Sequence, residues 1–158
     1  MLNMKKVLLL VCLAAICYAC GGGHEENKKD GVAEGASETP ATSESGEKGI
    51  GKFDKIEIGD KLDAAMAQTG QAVYDVKCSS CHKLTDEKLV GPGWKNVTQR
   101  HKPEWIMNFV TNVEEMLNKD PKAQAQLEIC LVRMPNQNLT DDDARHIYEF
   151  MRKNDGVK

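Results

Sequence analysis

The feature that most constrains this chain is five residues long: Cys78-Ser79-Ser80-Cys81-His82. Two cysteines separated by two residues serve a redox disulfide, half of a zinc site, or the covalent attachment of a prosthetic group, and each needs a different fold around it. A dithiol redox site sits beside a strand–helix–strand unit, and no such alternation surrounds this motif. A structural zinc site needs a second pair of Cys or His at short spacing, which the chain does not offer. The compartment has to be settled before the motif can be read further.

The amino terminus settles it. Lys5 and Lys6 precede an apolar run from Val7 to Ala19. That run is too short to cross a bilayer as a stable helix, and its small residues at the end mark residues 1–19 as a secretory signal. Ala19-Cys20-Gly21 resembles the lipobox of bacterial lipoproteins, although Cys17 stands where that family usually has an aliphatic residue. The resemblance implies a lipidated Cys20 as the first mature residue. A plain signal peptide cut near Ala19 accounts for the same residues, and either reading exports the rest of the chain.

Residues 20–55 read as a flexible linker. From Gly21 to Asp54 the chain is rich in Gly, Ser, Thr, Glu and Lys, with four lysines against eight acids and almost no large apolar side chain. Such a stretch buries too little surface to offset the entropy of ordering it. As a random coil it has a reach of roughly 30–35 Å, enough to tether a domain beside a membrane. The domain is expected at 56–158.

With Cys12 and Cys17 removed alongside the signal, Cys20, Cys78, Cys81 and Cys130 remain. In an exported chain Cys-x-x-Cys-His is the attachment signature of c-type haem. Thioethers from Cys78 and Cys81 fix the ring against the backbone, and His82 then presents its imidazole to the iron. The expected cofactor is one covalently attached haem c. A formal net charge of −3 argues against a nucleic-acid partner, and the nearly neutral domain shows no one-signed surface for steering.

The flanks supply helices. Residues 60–77 carry Leu62, Ala65, Met66, Val73 and Val76 as apolar contacts, with Gly70 and Tyr74 four apart on one face. Residues 103–118 open on Pro103 and carry an apolar stripe through Trp105, Ile106, Phe109, Val110, Val113 and Leu117. The last helix has Thr140 as its cap, three aspartates at the positive end of its dipole, and Leu139 placed to staple onto Ala144. His101 and His146 are possible iron ligands in principle, with His146 expected on the surface. Cys130 is expected to be a buried free thiol acting as a small hydrophobe.

These residues together resemble a class I bacterial cytochrome c over roughly residues 60–154. The resemblance implies an all-α fold in which the first and last helices cross, Gly70 and Tyr74 meeting Phe150. "LVGPGW" is similar to the loop whose proline carbonyl accepts a hydrogen bond from the haem histidine, a role that falls to Pro92. "RMPNQNLT" is similar to the loop that carries the sixth ligand. Met134 fits it because Pro135 favours an extended backbone there; Met116, His101 and Cys130 are the other possibilities. Trp105 is expected either to reach a haem propionate through its indole N–H or simply to pack as core.

The resemblance also implies a role. It is that of a membrane-tethered carrier of single electrons, not an enzyme, with His82 and Met134 filling both axial positions and no small-molecule substrate. Its partners would be a quinol-oxidising complex as donor and a terminal oxidase or nitrogen-oxide reductase as acceptor. Its place would be the periplasm, on the inner membrane in preference to the outer. A haem sensor or peroxidase-like enzyme with a labile sixth ligand is the alternative.

Overall fold

The computed structural model describes residues 45–158. The expected signal peptide, Cys20 and the greater part of the expected linker lie outside the described residues. The helices are α1 (Ser45–Lys48), α2 (Ala64–Lys77), α3 (Val97–Arg100), α4 (Pro103–Thr111), α5 (Val113–Lys119), α6 (Pro121–Cys130) and α7 (Asp141–Asn154). Among the described residues the other regular feature is an isolated antiparallel bridge between His82 and Lys88. The fold is all-α, as the sequence led us to expect.

The frame is the crossing of α2 and α7. Gly70 makes it possible: a Cβ there would lie 2.0 Å from the carbonyl oxygen of His146 and 3.0 Å from the nitrogen of Ile147. Four residues on, the Tyr74 ring packs against Phe150 at 5.4 Å and against Trp94 at 4.9 Å. The glycine thus meets the backbone at His146 and Ile147, while the Phe150 contact belongs to Tyr74. His146 is half-buried at this crossing, not on the surface, because the close approach encloses its Nδ1. Thr140 and Asp143 form a reciprocal capping box at the start of α7, worth about 1 kcal/mol.

Two helix boundaries differ from expectation. The helix expected from Asp60 starts at Ala64, where the Asp63 side chain accepts from the Met66 N–H. Residues 59–61 stay outside the helix, with a bend at Asp60 and Lys61: the Arg152 guanidinium donates to the carbonyls of Gly59, Asp60 and Lys61 at 2.7, 3.3 and 3.4 Å. Arg152 is itself paired with the fully buried Glu149 at 2.8 Å, and Glu149 also accepts the Asp63 N–H. The single helix expected over 103–118 is broken at Asn112, whose backbone leaves the helical region (φ −137°, ψ 49°) while its side chain donates to Ile50 O.

That last bond belongs to a correction of the domain boundary. The flexible linker was expected to run to residue 55, but residues 46–55 are packed on the body. Asn108, nearly inaccessible at 1% exposure, donates to the carbonyls of Lys48 and Phe53 and accepts from the Phe53 N–H, all within 2.8–2.9 Å. The Ile50 N–H points at Met116 Sδ at 3.0 Å, and Glu104 accepts from the Ile56 N–H. Gly49 turns through a positive φ (71°) where a side chain would strike Met116. Ile50, Phe53, Ile56 and Ile58 supply the apolar contacts of this strap.

Helix α6 was not expected. Asp120 caps it, accepting from Ala123 N at 2.8 Å, and Pro121 occupies its first position, where a missing N–H costs nothing. It ends at Leu131 in the left-handed region (φ 62°).

Candidate functional site

The site is built on the last turn of α2. The Cys78 and Ser79 N–H groups both return to the Tyr74 carbonyl, and the N–H groups of Cys81 and His82 both return to the carbonyl of Cys78. The five motif residues are thereby folded into a tight turn that brings the two cysteines and His82 to one place. The Tyr74 hydroxyl donates to His82 O at 2.6 Å, tying the turn back to the helix crossing. On the far side, the N–H groups of Val90 and Gly91 donate to Cys81 O.

His82 is held by the loop that follows. Its Nδ1 lies 2.9 Å from the carbonyl oxygen of Pro92, so Nδ1 carries the proton and Nε2 is the nitrogen left for a ligand. Burial pushes its pKa down, against a smaller opposing effect of the Pro92 bond, which keeps the ring neutral and its lone pair available. Gly91 is required here: a Cβ would fall 2.3 Å from His82 Cε1. Cys78 is buried and its thiol is pushed up to about 11, chiefly by that burial.

His82 and Met134 line the same cleft. One chamber, about 110 Å³, is walled by Cys81, His82, Phe109, Leu117, Leu127 and Met134, among other residues. A second, about 60 Å³, shares His82, Pro92, Phe109, Gln126 and Met134 and continues to Arg100, His101 and Trp105. The loop carrying Met134 is fixed from outside by Lys77, which donates to Gln137 O at 3.0 Å. Met116 lines neither chamber; it is fully buried under the strap, with its sulfur beside the Ile50 N–H. Cys130 lines the first chamber, half-buried in place of the fully buried position expected, because α6 ends there at the cleft mouth.

Of the two expectations for Trp105, the core reading holds: the side chain is buried, and its indole N–H donates to Asp120 Oδ1 at 3.1 Å and is not left for a propionate. The helix cap of α6 consumes it. What Trp105 gives the cleft is its ring, stacked on His101 at 3.9 Å and on Phe109 at 5.2 Å.

His101 is enclosed beside that ring, a placement the sequence did not reveal. Its Nε2 lies 3.2 Å from the amide nitrogen of Gln126, a donor, so Nε2 accepts and the proton resides on Nδ1. Nδ1 is buried and has no partner among the described residues. Burial, then the neighbouring charges of Arg100 and Lys122, push its pKa down to about 4 against the pull of Asp120. The cation lining the second chamber is Arg100, whose guanidinium donates to Gly93 O and Asn96 O and suits carboxylate oxygens. An apolar slot lined by Cys81, His82 and Met134, with Cys78 in the turn beside it and a guanidinium among its lining residues, fits a covalently held haem.

Comparison with known proteins agrees. A family model described as cytochrome c matches residues 67–155. A solved cytochrome c from Rhodothermus marinus is 31% identical, with a TM-score of 0.65 over 70% of this chain and 93% of its own. An engineered cytochrome c from the same organism is 30% identical with the same score, covering 94% of its own chain. A structure of that engineered protein bound to a carbene intermediate has a TM-score of 0.62 at 30% identity. A comparison with curated proteins gives no match.

Proposed function

The chain belongs to the cytochrome c family, and from that premise we propose that it is a membrane-tethered carrier passing single electrons between respiratory proteins, with His82 and Met134 as the two axial ligands. The observation that carries this reading is that His82 and Met134 line the same two chambers, beside the Cys78–Cys81 turn. The family's haem c is bound covalently, and Cys78 and Cys81 are the residues to hold it. Bound haem supplies an iron that gains or loses one electron with no bond to a substrate.

The chain's own residues do the rest. Pro92 orients the imidazole and raises its basicity through Nδ1. Lys77 holds the Met134 loop closed. Phe109, Leu117 and Leu127 exclude water from the cleft, and a soft neutral thioether from Met134 favours the reduced state. Arg100, which lines the second chamber, would receive a carboxylate. With His82 and Met134 both holding the iron, no open position would be left for a substrate.

The cellular setting is part of the proposal. The basic and apolar start of the chain and Cys20 support export and a lipid anchor, placing the domain in the periplasm beside the inner membrane. A quinol-oxidising complex as donor and a terminal oxidase or nitrogen-oxide reductase as acceptor suit such a position. Among the described residues no helix is long and apolar enough to cross a membrane.

The test is Met134→Ala in the haem-loaded protein. The long-wavelength ferric band of sulfur–iron bonding should vanish, and the ferrous protein should bind carbon monoxide, which the parent should not. Survival of the band in Met134→Ala, with its loss in Met116→Ala, would show that another sulfur holds the iron. Rapid and complete carbon monoxide binding by the parent would favour the labile-ligand reading.

A further inference from the structure

The mouth of the cleft is ringed by aliphatic side chains that contribute little to their own fold. Leu89 and Val90 come from the loop after His82; Ile129, Leu131 and Val132 come from the end of α6. Lys88 joins the two segments, its ammonium donating to Ile129 O at 2.9 Å. Val90 and Val132 line the large chamber, so a cofactor there covers part of them. Leu89, Ile129 and Leu131 do not line it, and Ile129 and Leu131 stay 69% and 83% exposed.

Leu131 is the informative residue. It caps α6 in the left-handed region (φ 62°, ψ 6°), where glycine or asparagine is the low-energy choice. A branched side chain there is strained, and this one gains no burial in return. Neither helix termination nor core packing accounts for a leucine at this position.

The charges beside the ring balance one another. Lys83 pairs with Glu87 at 2.8 Å, Lys95 lies 3.8 Å from Asp86, and Arg133 pairs with Glu114 at 3.0 Å. Lys88 on one segment carries the charge opposite to that of Glu128 on the other. A partner with a strongly one-signed docking face gains little here, because Lys83, Lys95 and Arg133 already have acids beside them. The complementary surface is apolar and without net charge.

We propose that Leu89, Val90, Ile129, Leu131 and Val132 form the docking face for the redox partner, and that this partner presents an apolar, uncharged surface around its own cofactor. Association is then driven by apolar burial and depends weakly on ionic strength, with one electron passing and no bond made or broken. The proposal rests on the electron-carrier reading.

The experiment uses the full haem-loaded chain with Cys20→Ala, so that no acyl chain takes part, and voltammetry on gold coated with alkanethiol monolayers. Mixed methyl- and hydroxyl-terminated monolayers should give faster electron transfer than carboxylate- or amine-terminated ones, at a rate nearly unchanged between low and high salt. Ile129→Gln with Leu131→Gln should lower that rate about tenfold. Val76→Gln, which alters a residue 84% exposed on α2, should leave it unchanged. A rate highest on a charged monolayer and falling steeply with salt would overturn the proposal, as would equal effects of the two sets of substitutions. Two further outcomes would assign the face to a different occupant and overturn it too: a dimer in sedimentation that the double variant abolishes, or binding to neutral phosphatidylcholine vesicles that it abolishes. Failure of the parent to exchange electrons on any monolayer would instead sink the carrier reading itself.

Discussion

Replacing Gly70 by alanine isolates the helix crossing on which the site is built. The added Cβ would sit 2.0 Å from His146 O and 2.5 Å from His146 C, both backbone atoms of the facing helix. Neither can swing away as a side-chain tip can, so α2 and α7 must part by roughly 1.4 Å to restore ordinary contact. Overpacking of this kind costs about 1–3 kcal/mol, and backbone on both sides puts it at the upper end. Alanine recovers about 1 kcal/mol in helix propensity. The net loss is about 2 kcal/mol, or about 8 °C in melting temperature for a body of this size. Thermal unfolding of the haem-loaded protein, followed by far-ultraviolet circular dichroism, measures it directly. Gly59→Ala serves as the control, since its Cβ would meet nothing nearer than Lys61 O at 3.9 Å. A Gly70→Ala protein melting with the parent, or above it, would refute the argument that close approach is what the glycine provides.

Three further outcomes follow from the same geometry. Asn108→Ala removes the bonds to Lys48 O, Phe53 O and the Phe53 N–H; it should cost about 2–3 kcal/mol and speed hydrogen exchange at the Phe53 amide, whereas unchanged exchange would mean the strap is held by something else. Arg152→Leu leaves Glu149 buried with one guanidinium fewer and should destabilise by about 3–5 kcal/mol at neutral pH. Burial alone raises the Glu149 pKa, but the Asp63 N–H, Arg145 and Arg152 outweigh it and the net shift is downward. The parent should therefore keep this contribution above the ordinary value of 4.5 and lose it as pH falls through the lowered one, a loss that denaturant titration at several pH values should find diminished in Arg152→Leu. Gly91→Ala sets a methyl 2.3 Å from His82 Cε1 and should tilt the imidazole off Pro92 O, shifting the reduction potential; an unaltered potential would show that the loop yields freely.

The parts of this molecule that were legible in its sequence are those whose signal is local. The Cys78–His82 motif, the Thr140 cap with its aspartates, and the Gly70–Tyr74 spacing each state their geometry within a few residues. The strap was not legible for a physical reason. Its docking is done by the amides of Asn108 and Asn112 binding its backbone, and a backbone carries no side-chain signature. Composition alone therefore read residues 46–55 as linker. The role of His101 stayed hidden similarly, because it depends on Gln126 and Trp105 arriving from other turns. The sequence left two roles open for Trp105 because the acceptor of its N–H, Asp120, caps α6, a helix with weak periodicity and only Ala123 buried.

The strap also acts as insulation. It lies over Met116 and Asn108, one layer behind α4, which supplies Trp105 and Phe109 to the cleft. A form of the protein cut to begin at residue 56 would lose Ile50 and Phe53 and admit water to the back of that wall. The local dielectric would rise, the more highly charged oxidised state would be better solvated, and the potential would fall. The redox tuning of this protein is thus partly written in the last residues before the domain that its sequence announces.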